Sequence, residues 1–225
     1  SFGFIKQDYY TGPLNPEATT YPDLCNYFDH IWSVSRGEIE QHILDAADGN
    51  IEDTIHGIFG WPAQGNMFFG HFNPFELPTD HNGGWAEFDD LNDNGIYEPQ
   101  FGEFPVIDIR GCPKDIYPDE MIFWIYNDAG GIHTNTQGSP IRMEVQVQAF
   151  AFRTADELND MTFQRYKLIN RAPQEINQCY FAMWTDPDLG CFSDDYIGCD
   201  TTKIKGKSRD LMYIYNIDAT DGTNG

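Results

Sequence analysis

Three observations predict a mainly β fold for this chain: an antiparallel β-sandwich with long ordered loops and one or two short helices. Beyond residue 120, strand-like runs follow one another with no helical pattern between them. Residues 60–120 are crowded with Gly, Pro, Asn and Asp and show little periodicity. A single segment carries a full helix start signal.

Taken in order, residues 1–33 read as extended and loop-like, because Pro13, Pro16 and Pro22 forbid regular helix. Ser35 then stands as an N-cap, with Glu38 three residues later to close a capping box. Ile39 and Ile43 lie four apart on one face with Leu44 beside them, and Asp48-Gly49-Asn50 ends the helix. A second short helix is expected over 51–58, stopped by Gly60-Trp61-Pro62. The long loop at 60–120 calls for something to pin it, and a metal ion would do so. Strands are predicted over 121–126, 143–151, 161–169, 179–185 and 211–217. In the second of these, Met143, Val145, Val147, Ala149 and Ala151 alternate with Glu144, Gln146, Gln148 and Phe150, as in a half-buried strand. The expected organisation is a loop-rich region over 1–120 and a sandwich core over 121–225, forming one continuous domain.

Composition narrows the function. The 225 residues include 17 Phe and 12 Tyr, far more than a disordered acidic chain carries. Thirteen Lys and Arg oppose 36 Asp and Glu, a net charge of −23 that excludes nucleic acid as a partner. A compact body so charged repels itself, and bound cations relieve the repulsion. The most apolar run, residues 121–126, is far shorter than the ~20 residues of a spanning helix, so no membrane insertion is expected. The chain opens at Ser1-Phe2-Gly3 without an initiating Met, so export would be directed by sequence outside it.

The sharpest motif is Asp90-Leu91-Asn92-Asp93-Asn94-Gly95-Ile96-Tyr97-Glu98, which matches the first half of an EF-hand-type calcium loop. Calcium takes hard oxygens, and oxygens at alternate positions converge when the chain curls tightly. Gly95 permits the curl. The predicted ligands are Asp90, Asn92, Asn94, the Ile96 carbonyl and Glu98. Phe101 occupies the usual closing position, and Glu103 is the candidate to replace it. The competing reading is a metal-free Asn/Asp-rich turn.

A second, tentative calcium site gathers Asp186, Asp188, Asp194, Asp195 and Asp200, with no Lys or Arg between the first and the last. Here the alternative is a set of separate turn-capping carboxylates facing water. Five cysteines without a CxxC pair point to an exported, disulfide-bonded chain. Cys191 and Cys199 bracket the acidic loop and form the first candidate pair. Cys25 and Cys112, both in the loop-rich half, form the second, which leaves Cys179 as a buried thiol on a predicted strand.

Catalytic signals are weak. The chain has no G-x-S-x-G elbow and no H-E-x-x-H helix. His71 and His81 read as ordinary surface or packed histidines. Thirty-six acids offer too many pairs for one to mark a glycosidase. Trp61, Trp85 and Tyr97 read as core rather than as a sugar platform.

The run Asp29-His30-Ile31-Trp32-Ser33-Val34-Ser35-Arg36-Gly37-Glu38-Ile39-Glu40 resembles a phrase found in large exported proteins of Bacteroidota, often terminated by a type IX secretion sorting domain. Further phrases match in the same order: Gly12-Pro13-Leu14, the Asp90 loop, Tyr126-Asn127-Asp128, Asn159-Asp160-Met161-Thr162-Phe163, Tyr166-Lys167-Leu168-Ile169-Asn170-Arg171 and the Asp186 to Asp200 stretch. Gly37 departs from the helix-favouring residue of that phrase, and residues 203–210 are longer than the family's short turn. The resemblance implies export to the cell surface and no particular activity. The expected role is therefore a calcium-stabilised structural or adhesive module of a secreted surface protein, without catalysis. Its expected partners are neighbouring domains of the same polypeptide or other surface subunits, meeting an aromatic loop around Trp61, Phe68, Phe69 and Phe72. The rival expectation is a glycan-binding module or glycoside hydrolase domain.

Overall fold

The computed structural model describes residues 7–109 and 117–217. The chain divides into two compact units, Ser1–Ile176 and Asn177–Gly225. The architecture is mainly β, with small antiparallel sheets and a few short helices.

In the first unit, β1 (Tyr10–Thr11), β2 (Trp32–Ser35), β3 (Glu120–Asn127), β4 (Met143–Ala151) and β5 (Thr162–Asn170) build one antiparallel sheet. β1 and β2 share one edge of β3, at Tyr126–Asn127 and Glu120–Phe123 respectively, while β4 and then β5 extend the other side. Met121, Phe123 and Ile125 of β3 face a core that includes Trp32, Val34, Ile39, Ile58, Phe59, Trp61, Phe69, Trp85 and Tyr97. Each such large apolar side chain, fully buried, stabilises by roughly 1.5–3 kcal/mol. α1 (Pro22–Tyr27), α2 (Arg36–Asp45), α3 (His56–Phe59) and α4 (Phe69–Phe72) lie between β1 and β3 in sequence.

The capping box forms as expected. Ser35 Oγ accepts from the Glu38 N–H at 3.3 Å, and Glu38 Oε2 accepts from the Ser35 N–H at 2.7 Å. Ile39 and His42 are the buried residues of α2, whereas Leu44 is 76% exposed. The second helix is the short α3 rather than the full 51–58 span.

The inward face of β4 is the polar set. Glu144, Gln146, Gln148 and Phe150 stand opposite Asn127, Ile125, Phe123 and Met121, on the core side. Glu144 is 0% exposed, and Gln146 and Gln148 are each 3% exposed. They face inward because the layer above is loop, whose peptide groups need partners. Gln146 Nε2 donates to the Gly84 carbonyl at 2.8 Å, and Gln148 Nε2 to the Val106 carbonyl at 2.8 Å. Val145 and Val147 are buried on the opposite face.

Buried amides pin the rest of the loop layer. Asn73 Oδ1 accepts from Trp32 Nε1 at 2.9 Å while its Nδ2 donates to the Gly60 and Phe69 carbonyls, both at 3.0 Å. Asn66 Nδ2 donates to the carbonyls of Phe59 and Trp61 at 2.9 and 2.8 Å. The aromatic loop expected as a contact surface is interior: Trp61 and Phe69 are 0% exposed, and Phe68 and Phe72 pack against the same core. An aromatic-rich loop over an open sheet face supplies the second layer that the face needs.

The second unit contains one antiparallel pair, β6 (Asp195–Asp200) with β9 (Leu211–Asn216), and a shorter pair, β7 (Lys203–Ile204) with β8 (Lys207–Ser208). The strand predicted over 179–185 does not form among the described residues. Tyr180 and Trp184 are 89% and 83% exposed, and Cys179 is exposed, not buried. Alternation marks a segment able to pair, but a strand exists only where a neighbour completes its ladder.

Candidate metal centre

The Asp90 loop leaves the core at Phe88, which bridges to Pro105, and returns through a 3₁₀ turn, Pro99–Phe101. Asp93 and Gly95 both take positive φ, +57° and +75°, which supplies the predicted curl. Tyr97 anchors the loop from beneath. It is fully buried, donates its hydroxyl to the Ile58 carbonyl at 3.0 Å and its N–H to the Gln64 carbonyl at 2.7 Å. Burial, reinforced by the nearby Glu103 charge, pushes its phenol well above the ordinary range.

Three of the predicted ligands meet side chain to side chain, Asn92 and Asn94 at Glu98, while Asp90 is tied to the backbone of the same loop. The Asp90 carboxylate accepts from the N–H groups of Asn94 and Gly95 at 3.1 and 2.7 Å. Asn92 Oδ1 accepts from the Asn94 N–H at 3.0 Å, and Asn94 Oδ1 from the Ile96 N–H at 2.7 Å. The Asn92 and Asn94 amides both donate to Glu98 Oε2, at 3.0 and 2.7 Å. One carboxylate oxygen is thus approached by two amides, whose own oxygens are held by the backbone N–H groups of Asn94 and Ile96.

Glu103 does something the sequence did not suggest. Its two oxygens accept from the N–H groups of Leu91 and Glu98, at 3.1 and 2.7 Å, and it is 0% exposed. It ties the two ends of the loop together from below. Burial pushes its carboxyl up, the two N–H bonds oppose this, and the charges of Asp90 and Glu98 add to the rise.

The predicted set of two carboxylates, two amides and a carbonyl contains oxygens of the kind calcium takes, and here the two amides turn their nitrogens to Glu98. Among the described residues no group of three or more His, Cys, Asp or Glu side chains gathers where a metal could sit. Asp90, Glu98 and Glu103 of the predicted set form no such group.

The second acidic constellation is spread out. Asp186 and Asp188 are exposed. Asp195 Oδ2 accepts from the Leu189 N–H at 2.9 Å, and the Asp194 N–H donates to the Cys191 carbonyl at 3.3 Å. Asp200 accepts from the Thr202 N–H at 2.8 Å and meets the Arg209 guanidinium at 3.0 Å. Hydrogen bonds from Thr202, with that guanidinium, hold its carboxyl below the usual range. Cys191 is buried with Sγ 3.0 Å from Ser193 Oγ, and Cys199 is exposed on β6; the two are not bonded in this structure. Cys112 lies outside the described residues, and with it the Cys25–Cys112 pairing.

A buried ion-pair cluster also forms, built on a histidine that reads from sequence as ordinary. Glu144 accepts from His81 Nε2 at 2.8 Å, from Arg171 Nε at 3.2 Å, from the Leu14 N–H at 2.9 Å and from Gln146 Nε2 at 3.1 Å. The His81 ring lies against Trp85 with centroids 4.1 Å apart. No local pattern links positions 14, 81, 144 and 171; only the folded topology brings them together. In comparisons with known proteins, no family model, no curated protein and no solved structure matches this chain.

Proposed function

We propose that this chain is an extracellular structural or adhesive module of a large secreted surface protein, stabilised by calcium at the Asp90 loop and without catalytic activity. The observation that carries the reading is the tightly curled loop in which Asn92 and Asn94 meet Glu98 and Asp90 holds the Asn94 and Gly95 N–H groups, anchored by Tyr97 and clamped by Glu103. A bound cation would relieve part of a net charge of −23. The chain's β core is an antiparallel sandwich that meets neighbouring domains or subunits, and a second calcium binds between Asp186 and Asp200. In an oxidising setting Cys191 and Cys199 close that loop. The resemblance to exported Bacteroidota proteins supports the location. Thermal unfolding at low ionic strength tests the reading. Calcium at 100 times its dissociation constant should add about 2.7 kcal/mol over the EDTA-treated protein, and a melting curve indifferent to EDTA would refute it.

A carbohydrate-binding module is the second reading. It is favoured by one observation: tyrosines exposed side by side on the β6–β9 pair.

A further inference from the structure

The two ladders of the second unit are one long hairpin. Asp195 pairs with Asn216 and Asp200 with Leu211, and the same register continues through Lys203 with Ser208 and Ile204 with Lys207. Between them the Arg209 N–H donates to the Thr202 carbonyl at 3.0 Å. Lys205 and Gly206, with φ of +49° and +81°, make the tip, as a two-residue hairpin turn requires.

One face of this hairpin carries aromatic rings near its base and positive charge toward its tip. Tyr196 stands opposite Tyr215, and Tyr213 follows on the same face. Their ring centroids lie 5.9 Å (Tyr196 to Tyr215) and 5.8 Å (Tyr213 to Tyr215) apart. Tyr213 stands opposite Gly198, where an added Cβ would overlap its ring. The ring therefore lies over bare backbone and turns its other side to solvent. The three tyrosines remain 45–47% exposed. Further out, Arg209 pairs with Asp200 at 3.0 Å, and Lys207 follows. Elsewhere Arg36, Arg165, Lys167 and Arg171 each pair with a carboxylate, while no ion pair forms at Arg142 or Arg153 among the described residues. Lys203, opposite Ser208, lies on the other face; among the described residues no carboxylate pairs with Lys205 at the tip or Lys207 on the tyrosine face.

We propose that this face binds an acidic polysaccharide, with uncharged sugars stacked on Tyr196, Tyr213 and Tyr215 and a carboxylate-bearing sugar at Lys205 and Lys207. The inference rests on the carbohydrate-binding reading and names its ligand class. Flat apolar rings with polar edges suit pyranose faces, and ammonium groups suit carboxylates. A nucleic acid fits less well. It would carry a phosphate at every unit, and so set charge against Asp200 beside the tyrosines.

Affinity electrophoresis of the whole chain at fixed calcium tests this. The gels contain hyaluronan, in which charged and uncharged sugars alternate, or uncharged hydroxyethyl cellulose, with a single-stranded oligonucleotide as a competing probe. The expected result is retardation by hyaluronan that weakens with salt. It should fall about tenfold in Tyr213→Ala and about threefold in Lys207→Gln. Lys207→Gln removes an exposed charge only, so its effect is readable even if Tyr213→Ala fails to fold. Equal retardation by hydroxyethyl cellulose would overturn the acidic specificity and leave the carbohydrate-binding reading standing. Retardation by neither polysaccharide overturns both. Displacement of hyaluronan by the oligonucleotide at lower concentration would reassign the face to nucleic acid.

Discussion

His81 Nε2 lies 2.8 Å from Glu144 Oε1, with both side chains essentially excluded from solvent. The pair joins a loop without regular structure to the centre of the sheet. Burial alone would push the Glu144 carboxyl up. The hydrogen bond and charge of His81, the Leu14 N–H and the Arg171 guanidinium outweigh it and hold the group below its ordinary value. Replacing Glu144 by Gln leaves Arg171 buried without its countercharge. The expected cost is about 3 kcal/mol, read as a lower urea midpoint at unchanged slope.

The same group sets an acid limb. Its folded value is depressed, so its contribution is fully present above the ordinary value of 4.5 and is lost as pH falls through the lower folded value. Stability measured from about pH 6 downward should therefore decline below about 4.5 and decline less steeply in Glu144→Gln. Parallel limbs in the two proteins would remove Glu144 from the explanation.

The start of α2 is stabilised locally. Ser35→Ala removes the hydroxyl that accepts from the Glu38 N–H. It should cost about 1 kcal/mol, whereas Leu44→Ala, at a position 76% exposed, should lie within about 0.5 kcal/mol of the parent. Chemical denaturation of the two variants checks the contrast.

Tyr97→Phe deletes the hydroxyl bonded to the Ile58 carbonyl at 3.0 Å beneath the Asp90 loop. The carbonyl keeps the Trp61 N–H at 3.2 Å, so the cost is that of one net hydrogen bond, about 0.5–1.5 kcal/mol. If the loop's geometry depends on this anchor, calcium affinity should fall as well, which calorimetry of the variant would reveal.

Much of this was legible where the signal is local. The Ser35–Glu38 capping box, the strands at 143–151 and 211–216, and the Asp90 curl each follow from a few adjacent residues. The facing of β4 was not legible. Alternation locates a strand, but Glu144, Gln146 and Gln148 turn inward because their partners, His81, Gly84 and Val106, come from a distant loop. Glu103 illustrates the same limit. Its spacing suggested a ligand, while its burial makes it the clamp on Leu91 and Glu98. The hairpin at 195–216 escaped because residues 186–200 read as an acidic loop and 203–210 only as an overlong turn, though Lys205-Gly206 at its tip is a turn signal that could have found it.

Calcium binding at the Asp90 loop is the central claim, and titration calorimetry on calcium-stripped protein tests it most directly. The parent and Asp93→Asn, which keeps a residue tolerant of positive φ at a non-ligand position, should bind calcium with matching heats and affinity. Asp90→Ala should lose that binding event while remaining folded by circular dichroism. Equal calcium binding by the parent and Asp90→Ala, or none by the parent, would contradict the account.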